Sequence, residues 1–343
     1  MPGSRASVFG EAEDFQAALS TDGVTGFLVT GRGPFRARMT QVRLEGWRLA
    51  AVEEALSRIA FVAVPAGMVL VSFSIDGGRS PVWGGIEIRT GEMITFGPDQ
   101  RVYARTVGLS HWGAIQLPDQ QLADYGRALT GARFAVPPAA RWRPQRAAAR
   151  ELRDLHRAAI RMAEARAGAL TDLQAAHALE QQLLHALIEC LSEGAEEETA
   201  TSRRHRDILA RFEDLLVAEP SLPLVNICAA LGVSERSLRE RSKEHLGMGP
   251  SRYRYLCAMQ QVHRALRSGN LDTASVSGAA GQYGFRGLGR FGARYRALYG
   301  ELPSATLRRA SHGGVTAHTL GRPFLDCSGR TLQAHWWERR SPD

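Results

Sequence analysis

The chain has 343 residues, of which 44% are hydrophobic and 23% are charged, a composition that excludes wholesale disorder. Its length predicts about two domains. No apolar run approaches the roughly 20 residues of a membrane helix, and the N-terminus lacks the apolar stretch of a signal peptide. The four cysteines are too scattered for a disulfide framework or a Cys-x-x-Cys metal site. We therefore expect a cytoplasmic protein that does not bind membranes.

The formal net charge of +8 is concentrated in the C-terminal third of the chain. Residues 201–311 contain 18 basic and 9 acidic side chains, whereas the remaining residues contain 25 and 26. A general preference for arginine explains why Lys243 is the only lysine, but it does not explain the difference between the segments. This distribution indicates a module that binds a polyanion.

Residues 24–118 show short apolar runs separated by glycine and proline, a pattern typical of a β-rich domain. Many short strands at close spacing favour a barrel or a sandwich over a parallel α/β sheet. The predicted strands cover residues 36–42, 48–52, 59–64, 69–75, 85–88, 93–96 and 114–117.

Residues 145–191 contain no proline and are rich in Ala, Leu, Arg and Glu, which predicts two amphipathic helices. Their apolar stripes indicate either internal core or a subunit interface, and a homodimer through these helices is one of the two interpretations. Residues 193–203 are predicted to be a linker. The tail, residues 312–343, has no clear periodicity and is assigned no role.

The basic segment contains a weak internal repeat. The first copy reads Ile-Cys-Ala-Ala-Leu-Gly-Val at residues 227–233, and the second reads Ala-Ala-Gly-Gln-Tyr-Gly-Phe at residues 279–285. Each copy continues into a predicted helix that ends in Gly-x-x-Pro, at residues 247–250 and 300–303. Gly232 of the first copy and Gly284 of the second are 52 residues apart, and the two Gly-x-x-Pro motifs are 53 residues apart. This nearly constant spacing argues against a repeat that arose by chance.

Each copy has the pattern of a helix-turn-helix. A small residue, Cys228 or Ala280, allows two helices to approach closely. Gly232 and Gly284 stand where the turn requires a left-handed backbone, which costs free energy for a residue with a Cβ atom. In the first copy Ser234 can cap the second helix. Helical hairpins also occur in proteins that do not bind DNA, so the DNA-binding prediction depends on two copies in a basic segment.

Residues 204–309 resemble the C-terminal domain of the AraC/XylS family of bacterial transcription regulators. Residues 283–303, which begin Tyr-Gly-Phe and end Gly-Glu-Leu-Pro, are similar to the family signature of Gly-Phe, Phe and Gly-x-x-Pro at those distances. The resemblance implies two helix-turn-helix units, joined by a rigid helix, that read adjacent major grooves on one face of double-stranded DNA. It also implies an N-terminal β-barrel domain, often cupin-like, that senses a small molecule or pairs subunits, with RNA polymerase as a further candidate partner.

Residues 250–266 are the predicted joining helix. At a rise of about 1.5 Å per residue, this helix spans about 25 Å. That length suits recognition helices placed roughly one duplex turn, or about 34 Å, apart.

Helix phase predicts which side chains of the first recognition helix face DNA. With Leu238 inward, the side chains of Arg236, Arg239, Glu240 and Lys243 point outward. Arg236 and Arg239 are the predicted base readers, because a guanidinium group can bond both O6 and N7 of guanine. Glu240 either accepts a hydrogen bond from a cytosine amine or forms an ion pair with Lys243 or Arg236, and the ion pair is favoured.

The second recognition helix is predicted to hold phosphates rather than to read bases. With Phe291, Tyr295 and Leu298 inward, its outermost positions carry almost no side chain. The residues assigned to this DNA-facing surface are Arg286, Gly289, Arg290, Ala293, Arg294 and Arg296.

Several positions depart from the family pattern. Ser242 replaces a large apolar residue, which should loosen the first unit, and Ala258 replaces an arginine that is common in the joining helix. Ala279 and Gly281 replace larger aliphatic residues, and together with Gly278 they should weaken the first helix of the second unit by roughly 1 kcal/mol per glycine.

The N-terminal region carries no residue motif that identifies a ligand. His111 is the only histidine in residues 24–118, so a cupin metal cluster is not expected, and Glu87, Glu92 and His111 are interpreted as surface residues rather than ligands. Neither a Ser-His-Asp order nor a phosphate loop is present. We therefore predict no enzyme activity, no metal and no cofactor, and the effector site stays unassigned. Three tryptophans could line an apolar ligand pocket, although such side chains are more often core: Trp47, Trp83 and Trp112.

The resulting prediction is an α+β chain with four segments. Residues 1–192 form a β-rich, cupin-like effector or dimerisation domain with helices from about residue 145, and residues 193–203 form a linker. Residues 204–311 form the all-α DNA-binding domain, and residues 312–343 form the tail. Two other functions stay open, namely a cupin-type enzyme fused to a DNA-binding module and a chromosome-binding protein without sequence preference.

Overall fold

A computed structural model describes residues 3–75, 78–165, 173–192, 194–220, 222–268 and 275–312. These ranges contain thirteen strands, all in an N-terminal β-rich part, and eleven helices, most of them in the C-terminal part. Within them no helix is both long and apolar enough to span a membrane. The predicted tail falls almost wholly outside the described residues.

Eight strands form the larger sheet, and every pairing within it is antiparallel. In spatial order they are β1 (Gly3–Phe9), β3 (Ala37–Arg43), β4 (Arg48–Glu54), β11 (Ser110–Pro118), β6 (Met68–Ser74), β9 (Met93–Phe96), β12 (Ala139–Trp142) and β13 (Ala195–Glu197).

Five strands form the smaller antiparallel sheet. In spatial order they are β2 (Val24–Val29), β5 (Arg58–Ala63), β10 (Arg101–Thr106), β7 (Val82–Trp83) and β8 (Ile86–Glu87). No described strand pair joins the two sheets, so the β-rich part is a pair of open sheets rather than a closed barrel.

Four helices belong to the N-terminal part, and seven follow the last strand. The first four are α1 (Ala12–Ser20), α2 (Asp119–Thr130), α3 (Arg146–Ala165) and α4 (Leu173–Leu191). The others are α5 (Ala200–Ala218), α6 (Leu224–Leu231), α7 (Glu235–Leu246), α8 (Pro250–Ser268), α9 (Val276–Gln282), α10 (Leu288–Tyr299) and α11 (Pro303–His312).

The two sheets enclose an apolar core between them. Alternation along each strand sends every second side chain into this core, as with Ala60 and Val62 of β5 and Val102 of β10. Phe15 of α1 closes one side of the core and contacts the ring of Phe27 at a centroid distance of 5.5 Å.

The outer face of the larger sheet is covered by α3 and α4. Val71 and Phe73 of β6 point to this side and pack with Leu152 of α3 and Leu187 of α4. Because both faces of β6 are covered, its sequence is an almost continuous apolar run, as expected for a strand buried on both sides. The stripe predicted in residues 145–191 therefore lies largely in the core of this chain.

The outer face of the smaller sheet is covered by the C-terminal helices. Ile59 and Phe61 of β5 and Tyr103 of β10 share one apolar core with Leu209 and Phe212 of α5. The same core includes residues of α6, α7 and α8. The first helix-turn-helix unit is thus packed directly against the β-rich part.

The predicted strand positions agree with the structure to within about two residues at most boundaries, except that residues 85–88 contain only the two-residue strand β8 and β11 begins at Ser110. The strands β1, β2, β7, β10, β12 and β13 and the helices α1 and α2 were not predicted. The residues predicted to be a linker, 193–203, contain β13, which pairs with β12, and the start of α5.

We expect Phe212→Ala to destabilise the protein by about 3–5 kcal/mol, because the buried phenyl ring contributes to the core between the sheet and α5. Val217 of the same helix is 75% exposed, and Val217→Ala should change stability by no more than about 0.5 kcal/mol. Equilibrium urea unfolding measures both. An effect of Phe212→Ala as small as that of the control would contradict the shared core.

Candidate nucleic-acid interface

Both copies of the repeat form a helix-turn-helix with the same backbone hydrogen bonds. In the first unit Gly232 has φ +65° between α6 and α7, and the N–H of Val233 donates to the carbonyl of Cys228 at 3.0 Å. In the second unit Gly284 has φ +85° between α9 and α10, and the N–H of Phe285 donates to the carbonyl of Ala280 at 2.9 Å. These bonds close the end of each first helix around a left-handed glycine.

The ends of the recognition helices differ between the units. Ser234 caps α7, because its hydroxyl accepts a hydrogen bond from the N–H of Ser237 at 3.1 Å. Gly287 occupies the equivalent position before α10 and offers no side-chain cap. Both helices end at a left-handed glycine, Gly247 with φ +72° and Gly300 with φ +75°.

The recognition helices turn their apolar side chains inward, in the predicted phase. Leu238 on α7 and Phe291 and Tyr295 on α10 are buried, and Leu298 is half-buried. Ser242 is also fully buried, and its hydroxyl has no hydrogen-bond partner in the described chain. The first unit therefore carries an unsatisfied polar group where an apolar side chain would pack better.

The residues predicted to face DNA are all exposed to solvent. They are Ser234, Arg236, Arg239, Glu240 and Lys243 in the first unit, and Arg286, Gly289, Arg290, Ala293, Arg294 and Arg296 in the second. Arg236 Nε lies 3.0 Å from Glu240 Oε1, which is the ion pair favoured among the roles of Glu240. Arg239 lies 3.8 Å from Glu235. DNA contact by these side chains stays a prediction.

Sequence reasoning missed a buried polar chain in the second unit. His263 Nδ1 of α8 lies 2.6 Å from the hydroxyl of Tyr295, which donates to Thr306 Oγ1 at 2.9 Å. Thr306 donates in turn to Glu301 at 2.7 Å. His263 also stacks on Tyr299 with ring centroids 4.1 Å apart. The apolar phase of the helices could not reveal this chain, because its members come from three helices.

Polar contacts also connect the first unit to the smaller sheet. The partly buried carboxylate of Glu213 on α5 accepts hydrogen bonds from Tyr103 at 2.6 Å and from Tyr253 at 3.0 Å. Burial raises the pKa of Glu213, and the two phenol donors oppose this shift. Beside it, Arg101 donates to Asp214 at 2.8 Å.

The second unit is held to the β-rich part by polar contacts around a cavity. Arg267 near the end of α8 donates to Glu11 at 2.7 Å and to Glu13 at 3.2 Å, and Arg264 bonds to Gln16. A cavity of about 500 Å³ lies beside these contacts. Its apolar lining includes Leu28, Phe35 and Leu56 from the β-rich part and Leu256, Leu298 and Tyr299 from the helices.

The candidate metal ligands of the N-terminal part are not gathered at one site. His111 lies 3.6 Å from Glu53, whereas Glu92 bonds to Arg143 at 3.1 Å. Within the described ranges no three His, Cys, Asp or Glu side chains are placed to hold a metal ion. Trp47, Trp83 and Trp112 are buried in the apolar cores.

Residues 227–309 match the family described as "Helix-turn-helix domain". The "XylDLEGF operon transcriptional activator 3" of Pseudomonas putida is 33% identical over 125 residues, which cover 36% of this chain and 37% of that protein. The chain therefore matches only about a third of that relative's length.

Two solved structures are also similar. The crystal structure of a probable AraC family transcriptional regulator from Rhodopseudomonas palustris is 30% identical, covers 30% of this chain and 97% of that chain, and has a TM-score of 0.28. The AraC-like transcriptional activator CuxR is 16% identical, covers 75% of this chain and 94% of that chain, and has a TM-score of 0.38.

The geometry and the sequence match define a domain with two helix-turn-helix units. It is a domain of the AraC/XylS type, as the resemblance of residues 204–309 indicated.

Two neighbouring glycines should respond oppositely to alanine. Gly284→Ala should destabilise the protein by roughly 1–2 kcal/mol, because its positive φ disfavours a Cβ atom. Gly281 lies within α9, and a Cβ there would meet open space, so Gly281→Ala should stabilise the protein by about 0.5–1 kcal/mol. Urea unfolding measures both. Equal effects of the two substitutions would show that the turn does not require a left-handed residue.

Acid should weaken the packing of the first unit through His245. Burial, together with the nearby His205, Arg206 and Arg105, lowers the pKa of this histidine to about 4. Because the unfolded histidine titrates near pH 6.5, the unfolded state binds the proton first, and stability should fall as the pH drops from about 6.5 to 4. The loss from this group amounts to up to about 3 kcal/mol.

The measurement is the free energy of unfolding against pH for the wild type and for His245→Gln. His245→Gln should lose less stability than the wild type between pH 6.5 and 4. A variant of the exposed His177 in α4 serves as the control. Parallel curves for the wild type and His245→Gln would contradict the assignment.

Proposed function

We propose that the chain is a sequence-specific DNA-binding transcription regulator without enzyme activity. One observation carries this proposal: two helix-turn-helix units with the same glycine geometry each present an exposed, arginine-rich recognition helix. Double-stranded DNA is the polyanion whose major groove admits such helices. Residues 204–311 are the proposed DNA-binding domain, and residues 193–203 connect it to the β-rich domain of residues 1–192.

The joining helix supports binding to adjacent major grooves. The 19 residues of α8 span about 28 Å, close to the roughly 34 Å between successive turns of the groove on one face. In the first unit, Arg236 and Arg239 lie on the exposed face of α7 and are the proposed base readers. In the second unit, the small side chains on α10 leave its arginines to bind phosphates.

We propose that the N-terminal domain regulates DNA binding in response to a small molecule. The cavity of about 500 Å³ between this domain and the second unit supports the proposal, because a ligand there would contact both parts. The matched relative from Pseudomonas putida is named an activator, and we propose that this chain also activates transcription. We place this function in the bacterial cytoplasm and propose RNA polymerase as a partner. Pairing of two copies is part of the same proposal.

Selection of bound sites from random DNA tests the function directly. The wild type should recover a common site with two half-sites about one helical turn apart. Arg236→Ala and Arg239→Ala should change the recovered bases in one half-site and cost about 1–3 kcal/mol on the original site. Arg296→Ala should weaken binding to all sequences alike and reduce the salt slope by about 1.

The same selection gives two results against the proposal. Failure of the wild type to recover any common site would leave a protein that binds DNA without sequence preference. An unchanged site for Arg236→Ala would refute the proposed docking of α7 while leaving the regulator function in place.

A further inference from the structure

One tyrosine lies at the junction of the two helix-turn-helix units. Tyr255 of α8 is partly buried and packs against the apolar core of the first unit and also against that of the second. Its ring contacts Phe285, which follows the turn of the second unit, at a centroid distance of 5.9 Å and an interplanar angle of 81°. The position of this ring is therefore fixed by both units.

Two arginines from different helices converge on this ring. The guanidinium carbon of Arg252 on α8 lies 5.6 Å from the ring centroid of Tyr255, and that of Arg294 on α10 also lies 5.6 Å from it. Cation–π contact of this kind orients a guanidinium group that would otherwise sample many rotamers. The two cationic groups, one from each side of the boundary between the units, thus contact the same ring.

No carboxylate in the described part of the chain balances the charge of this pair. Both side chains are exposed, and within the described ranges neither forms an ion pair with a carboxylate. Arg236, Arg239 and Arg309 differ, since each lies close to a glutamate. Exposed cationic groups without a counter-ion create a local preference for an anion.

We propose that Arg252 and Arg294, positioned by Tyr255, form a binding site for a single DNA backbone phosphate between the two half-sites. Guanidinium groups bind phosphate oxygens through paired hydrogen bonds, which suits two oriented arginines. When recognition helices occupy adjacent major grooves, the joining helix passes over the backbone between them, where this phosphate lies. The inference rests on the proposed DNA-binding function and adds a contact that fixes the spacing of the half-sites.

The dependence of binding on salt tests the contact. Each phosphate contact contributes a slope of about 0.9 in log K against log salt. The ratio of the wild-type binding constant to that of Arg252→Ala should therefore fall about 3.5-fold as salt rises from 50 to 200 mM. The ratio for Arg294→Ala should fall by the same factor. Arg127→Ala removes an exposed arginine from α2 of the N-terminal domain and is the charge-matched control. Its DNA affinity relative to the wild type should not change with salt.

Neutral methylphosphonate linkages locate the phosphate. We expect one neutral linkage between the half-sites of the selected DNA to weaken wild-type binding severalfold. The affinities of Arg252→Ala and Arg294→Ala should be the same for DNA with and without this neutral linkage. Tyr255→Leu keeps both charges but removes the ring, so it should lose the sensitivity to that one linkage, whereas Tyr255→Phe should keep it. Circular dichroism confirms that each variant is folded.

Two results separate this inference from the proposed function. If the wild type selects a defined DNA site but tolerates every neutral linkage between the half-sites, the phosphate site is wrong and the regulator function stands. The site is equally wrong if Arg252→Ala retains the full wild-type sensitivity to the neutral linkage. Failure to select any DNA site would overturn the proposed function itself.

Discussion

The arrangement of this molecule depends on one sheet that is apolar on both faces. Alternation along β5 and β10 sends one set of side chains toward the larger sheet and the other set toward α5. Water would otherwise contact Ile59, Phe61 and Tyr103, so burying these side chains against the helices stabilises both parts together. The first helix-turn-helix unit consequently has a fixed orientation relative to the β-rich part.

The second unit is attached in a different way. It has its own aromatic core, and its described links to the β-rich part include the Arg267 bonds to Glu11 and Glu13 and the contacts beside the cavity. Exposed ion pairs of this type contribute about 0–1 kcal/mol each, far less than a shared apolar core. The second unit is therefore attached less strongly to the β-rich part than the first unit.

The sequence predicted local features well and distant contacts poorly. The turn glycines, the Ser234 cap and the inward phase of Leu238 and Phe291 are determined by neighbouring residues, and each was readable. Strand β10 was missed because its alternating pattern includes Arg101 and Arg105, and the burial of its Tyr103 depends on α5, more than 100 residues away. The Arg252–Tyr255–Arg294 cluster was missed for the same reason.

The segment that connects the β-rich part to α5 is shorter than the linker of residues 193–203 that the sequence predicted. Strand β13 pairs with β12 through three residues, and only a few residues separate it from α5. If that ladder opened, about 10 Å of additional chain would become free, at a rise of about 3.3 Å per residue. Because β13 ends only two residues before α5, its pairing with β12 determines where α5 begins relative to the larger sheet.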